Sequence, residues 1–148
     1  VYKRQLQMAV GFQSSIYEGD LDDYRLNWYS EIYIVKYTSD NSKRFFPKVP
    51  IIRLSEMYLI AAEASGDIRF LNTLRDFRGY AGNALPADAD LLKELRKEYQ
   101  KEFIAEGQLF YFYKRQNLTA IPFTSQTMNR ATYVFPMPDN ELEFGNVL

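Results

Sequence analysis

The chain has 148 residues, enough for one domain with a real core, and a formal net charge of −1 with both signs interspersed. That balance gives no electrostatic case for nucleic acid or for an anionic membrane surface. Cysteine and histidine are both absent, which excludes disulfides, thiolate zinc sites, cysteine nucleophiles and the usual general base for a serine nucleophile.

No run approaches the roughly eighteen apolar residues that span a bilayer. No signal peptide is visible, and the chain starts at Val1. Neither a metal nor a cofactor is expected.

Val1–Val10 carries weak helical periodicity that Gly11 ends, and the polar stretch Ser14–Asp23 reads as loop. Trp28–Tyr37 (WYSEIYIVKY) alternates β-branched and aromatic residues and predicts a strand. Ser39–Lys43 reads as a turn, and Pro47 and Pro50 delay the next helix to about Ile52. In the helix predicted over Ile52–Ser65, Leu54, Met57, Tyr58, Ala61 and Ala62 form one face, and Glu56 and Glu63 share the other. Gly66 suits the left-handed end of that helix, and Asp67 suits the cap of the next. Ile68–Arg78 follows, with Phe70, Leu71, Leu74 and Phe77 at helical spacing, ending near Gly79. Two short helices joined by Gly-Asp form a pair of the kind stacked in tetratricopeptide (TPR) proteins, but no second copy appears at a fixed period.

After a loop over Gly79–Asp90, Asp88 or Asp90 caps a long helix predicted over Leu91–Glu106. Gly107 interrupts it, and Leu109–Arg115 continues at a changed angle, with Phe103, Phe110, Phe112 and Tyr113 packing around the kink. Asn117–Thr132 reads as loop and Tyr133–Pro138 as an extended segment limited by its two prolines. Asp139 or Asn140 then caps a terminal turn.

The long helix puts carboxylates where hydrocarbon belongs. Leu91, Leu92, Leu95, Tyr99 and Phe103 gather within roughly a third of its circumference. Glu102 and Glu106 project into that arc, while Lys93, Lys97 and Lys101 run down the side expected to meet solvent. Buried carboxylates need cationic or hydrogen-bonding partners, and Arg53 and Arg115 are the expected ones. A small roll of the helix would instead put both glutamates at a wet edge. As a catalytic pair they are a poor fit, because side chains four apart on one helix lie side by side, whereas a glycosidase brackets its bond from two sides.

The stretch EYQKEFIAEGQLFYFYKR (Glu98–Arg115) resembles the C-terminal signature of the SusD/RagB family, with Glu98, Glu102, Glu106, Gly107, Lys114 and Arg115 matching position by position. IIRLSEMYLIAAEA (Ile51–Ala64) resembles the family's upstream helix, and YVFPMPDNELEFGN (Tyr133–Asn146) resembles its ending. Tyr99 stands where the family usually has arginine, and Phe112 where many members have aspartate, so no ion-pair pattern is carried over. Asp23 and Arg25 resemble the family's D-x-R element, read here as a structural ion pair.

The resemblance implies a mainly α-helical fold: a TPR-like pair plus a long kinked helix, irregular loops and a minor β element. Residues 1–148 are expected to form a single domain, with 1–50 as a loop and strand lead-in and 51–148 as the SusD/RagB-type C-terminal region. It further implies a surface-exposed lipoprotein of the bacterial outer membrane, anchored through a region not in this chain. Such a protein captures an oligosaccharide or other nutrient and hands it to a SusC-like TonB-dependent transporter, without enzymatic chemistry.

The aromatics beside the polar loop, Trp28, Tyr29, Tyr17 and Tyr24, are the expected ligand-stacking residues, led by Trp28. Packing in the core is the competing role for each. A helical protein–protein interaction module without a small-molecule ligand is the alternative function.

Overall fold

A computed structural model of the chain describes residues 12–17, 22–30, 33–37, 50–122 and 124–139. The helix expected over Val1–Val10 and the turns at Ser39–Lys43 and beyond Asp139 lie outside the described residues. The fold is mainly helical and divides into two compact units, Val1–Gly107 and Gln108–Leu148.

The first unit opens with α1 (Phe12–Tyr17), within the stretch expected to be loop. Ile16 and Tyr17 are buried with Ile104, and Leu26, Trp28, Tyr29 and Ile34 pack on them. That tertiary burial sustains a six-residue helix too short to be stable alone. A 3₁₀ turn over Tyr24–Trp28 follows, capped by the Asp23 side chain, which accepts from the Arg25 backbone N–H. The expected single strand is a short antiparallel hairpin, β1 (Tyr29–Ser30) and β2 (Tyr33–Ile34), registered Tyr29 to Ile34 and Ser30 to Tyr33. Trp28 belongs to the 3₁₀ turn that leads into it.

Helix α2 (Leu54–Ser65) ends where expected, at Gly66 with φ 69. Its buried residues are Ser55, Leu59 and Ala62, so it is turned relative to the face read from the sequence. Leu54, at 71% exposure, and Met57 lie outside. Ser55 faces inward with Leu59 and Ala62, and its hydroxyl donates to Glu102 Oε1 at 2.7 Å.

Asp67 caps α3 (Ile68–Arg75) by accepting from the Arg69 N–H, and α2 and α3 pack side by side as the TPR-like pair. Leu71 and Leu74 are buried. The chain then winds once as a π-helical turn over Asp76–Tyr80. Phe77 falls on the same face as Phe70, seven positions earlier, and both are exposed, while Gly79 at φ 107 breaks the helix and Tyr80 beyond it is buried.

Helix α4 (Leu91–Glu102), capped by Asp90 through the Lys93 N–H, packs against α1 and α2. It ends four residues earlier than expected. Phe103 departs from helical geometry, and Ala105 and Gly107 both have positive φ, at 63 and 74. The physical reason is that side chains take the last carbonyl: Arg53 Nη2 donates to Glu102 O at 3.2 Å, and Lys36 Nζ donates to the same oxygen. Residues 98–102 are buried without interruption, so Lys101, expected in solvent, is 3% exposed. An element enclosed on several sides has no solvent face for periodicity to report.

In the second unit, α5 (Leu109–Arg115) buries Phe112 and Tyr113 and gives way to Asn117 at φ 49. The Phe110 ring lies 5.7 Å from Tyr133 and 5.6 Å from Phe135, ring centre to ring centre. Tyr133 donates its hydroxyl to Leu118 O at 2.7 Å. Tyr133 and Val134 complete a turn, and only residues 135–138 lack regular structure as expected.

Candidate functional site

The first unit is organised around buried charge. Arg25 is 1% exposed and sits between three carboxylates. Its Nη2 donates to Asp23 Oδ2 and to Glu98 Oε2, both at 2.7 Å, and its Nη1 reaches Glu102 Oε2 at 3.5 Å. Glu98 also accepts from Arg75 Nη1 at 3.1 Å and Lys101 Nζ at 3.3 Å. Glu102 is gripped by Arg78 through two bonds of 2.9 and 3.1 Å, in addition to the Ser55 hydroxyl. Tyr80 closes the group by donating to Asp23 Oδ2 at 3.0 Å. Charge-assisted forks of this kind are directional and strong, and each buried charge has a partner.

Beside this group Glu106 Oε1 accepts from Arg53 Nη1 at 2.7 Å, from the Tyr37 hydroxyl at 2.9 Å, and from Lys36 Nζ. Of the two cations expected on Glu102 and Glu106, Arg53 therefore meets Glu106 directly and lies 3.9 Å from Glu102 Oε1. Arg115 belongs to the second unit, where its guanidinium is 5.7 Å from the Phe112 ring. The chief cations on Glu102, Arg25 and Arg78, were not anticipated from the sequence. Arg25 came from a D-x-R pair whose reach to Glu98, 73 positions away, has no local signal. Glu98 itself was readable in hindsight, as the first of three glutamates spaced four apart.

Electrostatics follow the geometry. Burial pushes the Glu98 carboxyl up, but the Arg25, Lys101 and Arg75 charges outweigh it and hold the group at about 2. Burial likewise opposes ionisation of Glu102, and Arg78, Ser55 and Arg25 pull it below the usual range. A carboxyl depressed on folding stabilises the fold above its ordinary value of 4.5, and that stability is lost as pH falls toward about 2. Glu98 alone contributes roughly 3 kcal/mol by this linkage. The urea midpoint of the chain is therefore expected to fall steeply below pH 4.5, and to fall less in Glu98→Gln.

In Lys36 it is the charged form that folding disfavours. Burial, aided by the neighbouring Arg53 charge and offset in part by Glu106, lowers its ammonium to about 8. Tyr37 in the same cluster is pushed up to about 12, by burial first and by Glu106, and stays neutral through that range. The contribution from Lys36 is present above the ordinary lysine value of 10.5 and is lost as pH falls through about 8. Because Lys36 Nζ lies 4.0 Å from the Trp28 ring centre, Trp28 fluorescence is expected to titrate near pH 8. It should stay flat in Lys36→Met.

The four aromatic candidates fall in different places. Tyr17, expected at the ligand surface, is 2% exposed, its ring edge-on to Tyr29 and its hydroxyl 3.2 Å from the Tyr29 hydroxyl, so it is a core residue. Trp28 and Tyr29 are half-buried against the Ile16–Tyr17–Ile104 cluster, and Lys36 covers one face of Trp28. Tyr24, at 63%, is exposed. Among the described residues, no group of acidic side chains is arranged to hold a metal ion, and no helix is long and apolar enough to cross a membrane.

The SusD family model matches residues 7–120, and the chain belongs to the SusD family. No curated protein and no solved structure matches it.

Proposed function

We propose that the chain is the helical scaffold of a nutrient-binding lipoprotein on the bacterial outer membrane. It captures an oligosaccharide or other nutrient and delivers it to a SusC-like TonB-dependent transporter. The observation that carries this reading is family membership over residues 7–120, which span the α2–α3 pair, the α4 carboxylates and α5. The buried carboxylates support it, since Glu98, Glu102 and Glu106 are each committed to internal cations and act as framework.

An apolar strip formed by Ile51, Ile52, Leu54, Met57 and Ile60, all exposed, favours a second reading, a protein–protein interaction module. Affinity electrophoresis of the chain in gels containing soluble polysaccharides, together with co-purification of a co-expressed TonB-dependent transporter of the SusC type, separates the two. Retardation by a polysaccharide and recovery of the transporter are expected. Recovery of the transporter with no retardation by any polysaccharide or other nutrient favours the second reading, and neither result overturns both.

A further inference from the structure

Three cations converge at one corner of the first unit. Arg53 and Arg78 meet at a single oxygen: Arg78 Nη2 donates to Glu102 Oε1 at 2.9 Å, and Arg53 Nε lies 3.9 Å from the same atom. Lys36 and Arg53 meet at Glu106 Oε1, to which both donate. Lys36 and Arg78 both approach the Trp28 ring, at 4.0 and 5.9 Å from its centre. Every pair of the three thus shares a partner. That brings them together although they come from beyond β2, from the N-cap of α2 and from the π-turn.

The charges at this corner do not balance. Its carboxylates are Glu102 and Glu106, and Glu102 is shared with Arg25. Among the described residues no further carboxylate pairs with Lys36, Arg53 or Arg78. Like charges held together away from bulk water repel, and burial and then the Arg53 charge lower the Lys36 ammonium to about 8. Donors are left over as well. Arg78 spends Nε and Nη2 on Glu102, and Arg53 spends Nη1 and Nη2 on Glu106, Tyr37 and the Glu102 carbonyl. Arg78 Nη1 and Arg53 Nε make no hydrogen bond among the described residues, and neither is sealed from solvent. The Arg78 and Arg53 side chains are 24% and 15% exposed, against 1% for Glu102, so the unused donors sit on the water side of the carboxylate.

We propose that the corner formed by Lys36, Arg53 and Arg78 is a binding site for an oxyanion of the sulfate or phosphate kind, as the free ion or as such a group on a larger molecule. Arg78 Nη1 and Arg53 Nε supply charge-assisted hydrogen bonds of the type guanidinium groups make to these anions, and Lys36 supplies charge. A dianion gains from three cations at once and relieves their mutual repulsion, in surroundings that water screens only in part. The site does not depend on the nutrient-binding reading.

The test is calorimetric titration of the intact chain at neutral pH with sodium sulfate, inorganic phosphate and glycerol phosphate, with chloride exchanged to hold ionic strength constant. Trp28 is the sole tryptophan, so its emission locates the event. Saturable binding with a Kd of about 1 mM is expected, with a saturable change in emission. Tighter binding of the free ions than of the ester assigns the site to a free ion, and the reverse assigns it to a group on a larger molecule. Arg78→Gln is expected to weaken binding about tenfold, whereas Arg69→Gln, which removes an exposed arginine paired with Asp67, should leave it unchanged. If Arg78→Gln does not fold, Arg78→Lys takes its place; it keeps the charge, loses the fork, and should weaken binding about fivefold. No saturable binding, binding that leaves Trp28 emission unchanged, or parental affinity in the folded Arg78 variant overturns the proposal.

Discussion

Replacing Arg25 with methionine is expected to destabilise the first unit by about 3–5 kcal/mol, because it strands charge that cannot reach water. The guanidinium bonds Asp23 and Glu98 and reaches Glu102, and all four groups are buried. Methionine fills part of the volume but offers no donor, so three carboxylates are left to the remaining cations. For a chain of this length the loss corresponds to a fall in Tm on the order of 10 °C. Arg25→Lys keeps the charge but cannot fork between the partners, and should lie between the two. Urea unfolding at neutral pH measures the effect as a lower midpoint. A change in Arg25→Met within about 0.5 kcal/mol, the usual range for surface substitutions, would contradict the role assigned to it.

Gly79→Ala is expected to cost about 3 kcal/mol, through both backbone conformation and space. The residue has φ 107, and a Cβ there would lie 2.2 Å from Asp22 O, a backbone atom that cannot swing aside. Gly66→Ala is the control. It has φ 69 and open space around its Cβ position, so only the conformational penalty of about 1 kcal/mol applies. Similar losses at both sites would show that the two turns do not press together as described.

Local signals in the sequence were reliable where the physics is local. Gly66 and Asp67 stop one helix and start the next through groups within a turn of each other, and Asp90 caps α4 in the same way. The presence of a buried carboxylate cluster was also legible, because Glu102 falls inside an apolar arc. What could not be read was which cations answer it. Arg25, Arg78 and Lys36 come from turns and a hairpin end whose positions depend on the packing of the whole unit.

The orientation of α2 failed for a related reason. Leu54 and Met57 look like a core face, but the buried face is Ser55, Leu59 and Ala62, with Ser55 bonded to Glu102, 47 positions away in the chain. Phe70 and Phe77 share one helical face and are both exposed while Leu71 and Leu74 are buried, and apolar spacing alone does not say which side of a wide stripe meets the core. Tyr17 was assigned to a loop surface because a short helix buried by tertiary contacts carries too little periodicity to announce itself.

The claim on which the rest depends is that the α4 carboxylates are ionised, cation-paired framework charges. Carboxyl-carbon NMR of glutamate-labelled chain, followed from neutral pH downward, measures this at Glu98 directly. The Glu98 resonance is expected to stay ionised far into acid and to titrate near pH 2, or to vanish with unfolding before it does. A Glu98 resonance that titrates in the folded chain at or above the ordinary value of 4.5 would contradict it.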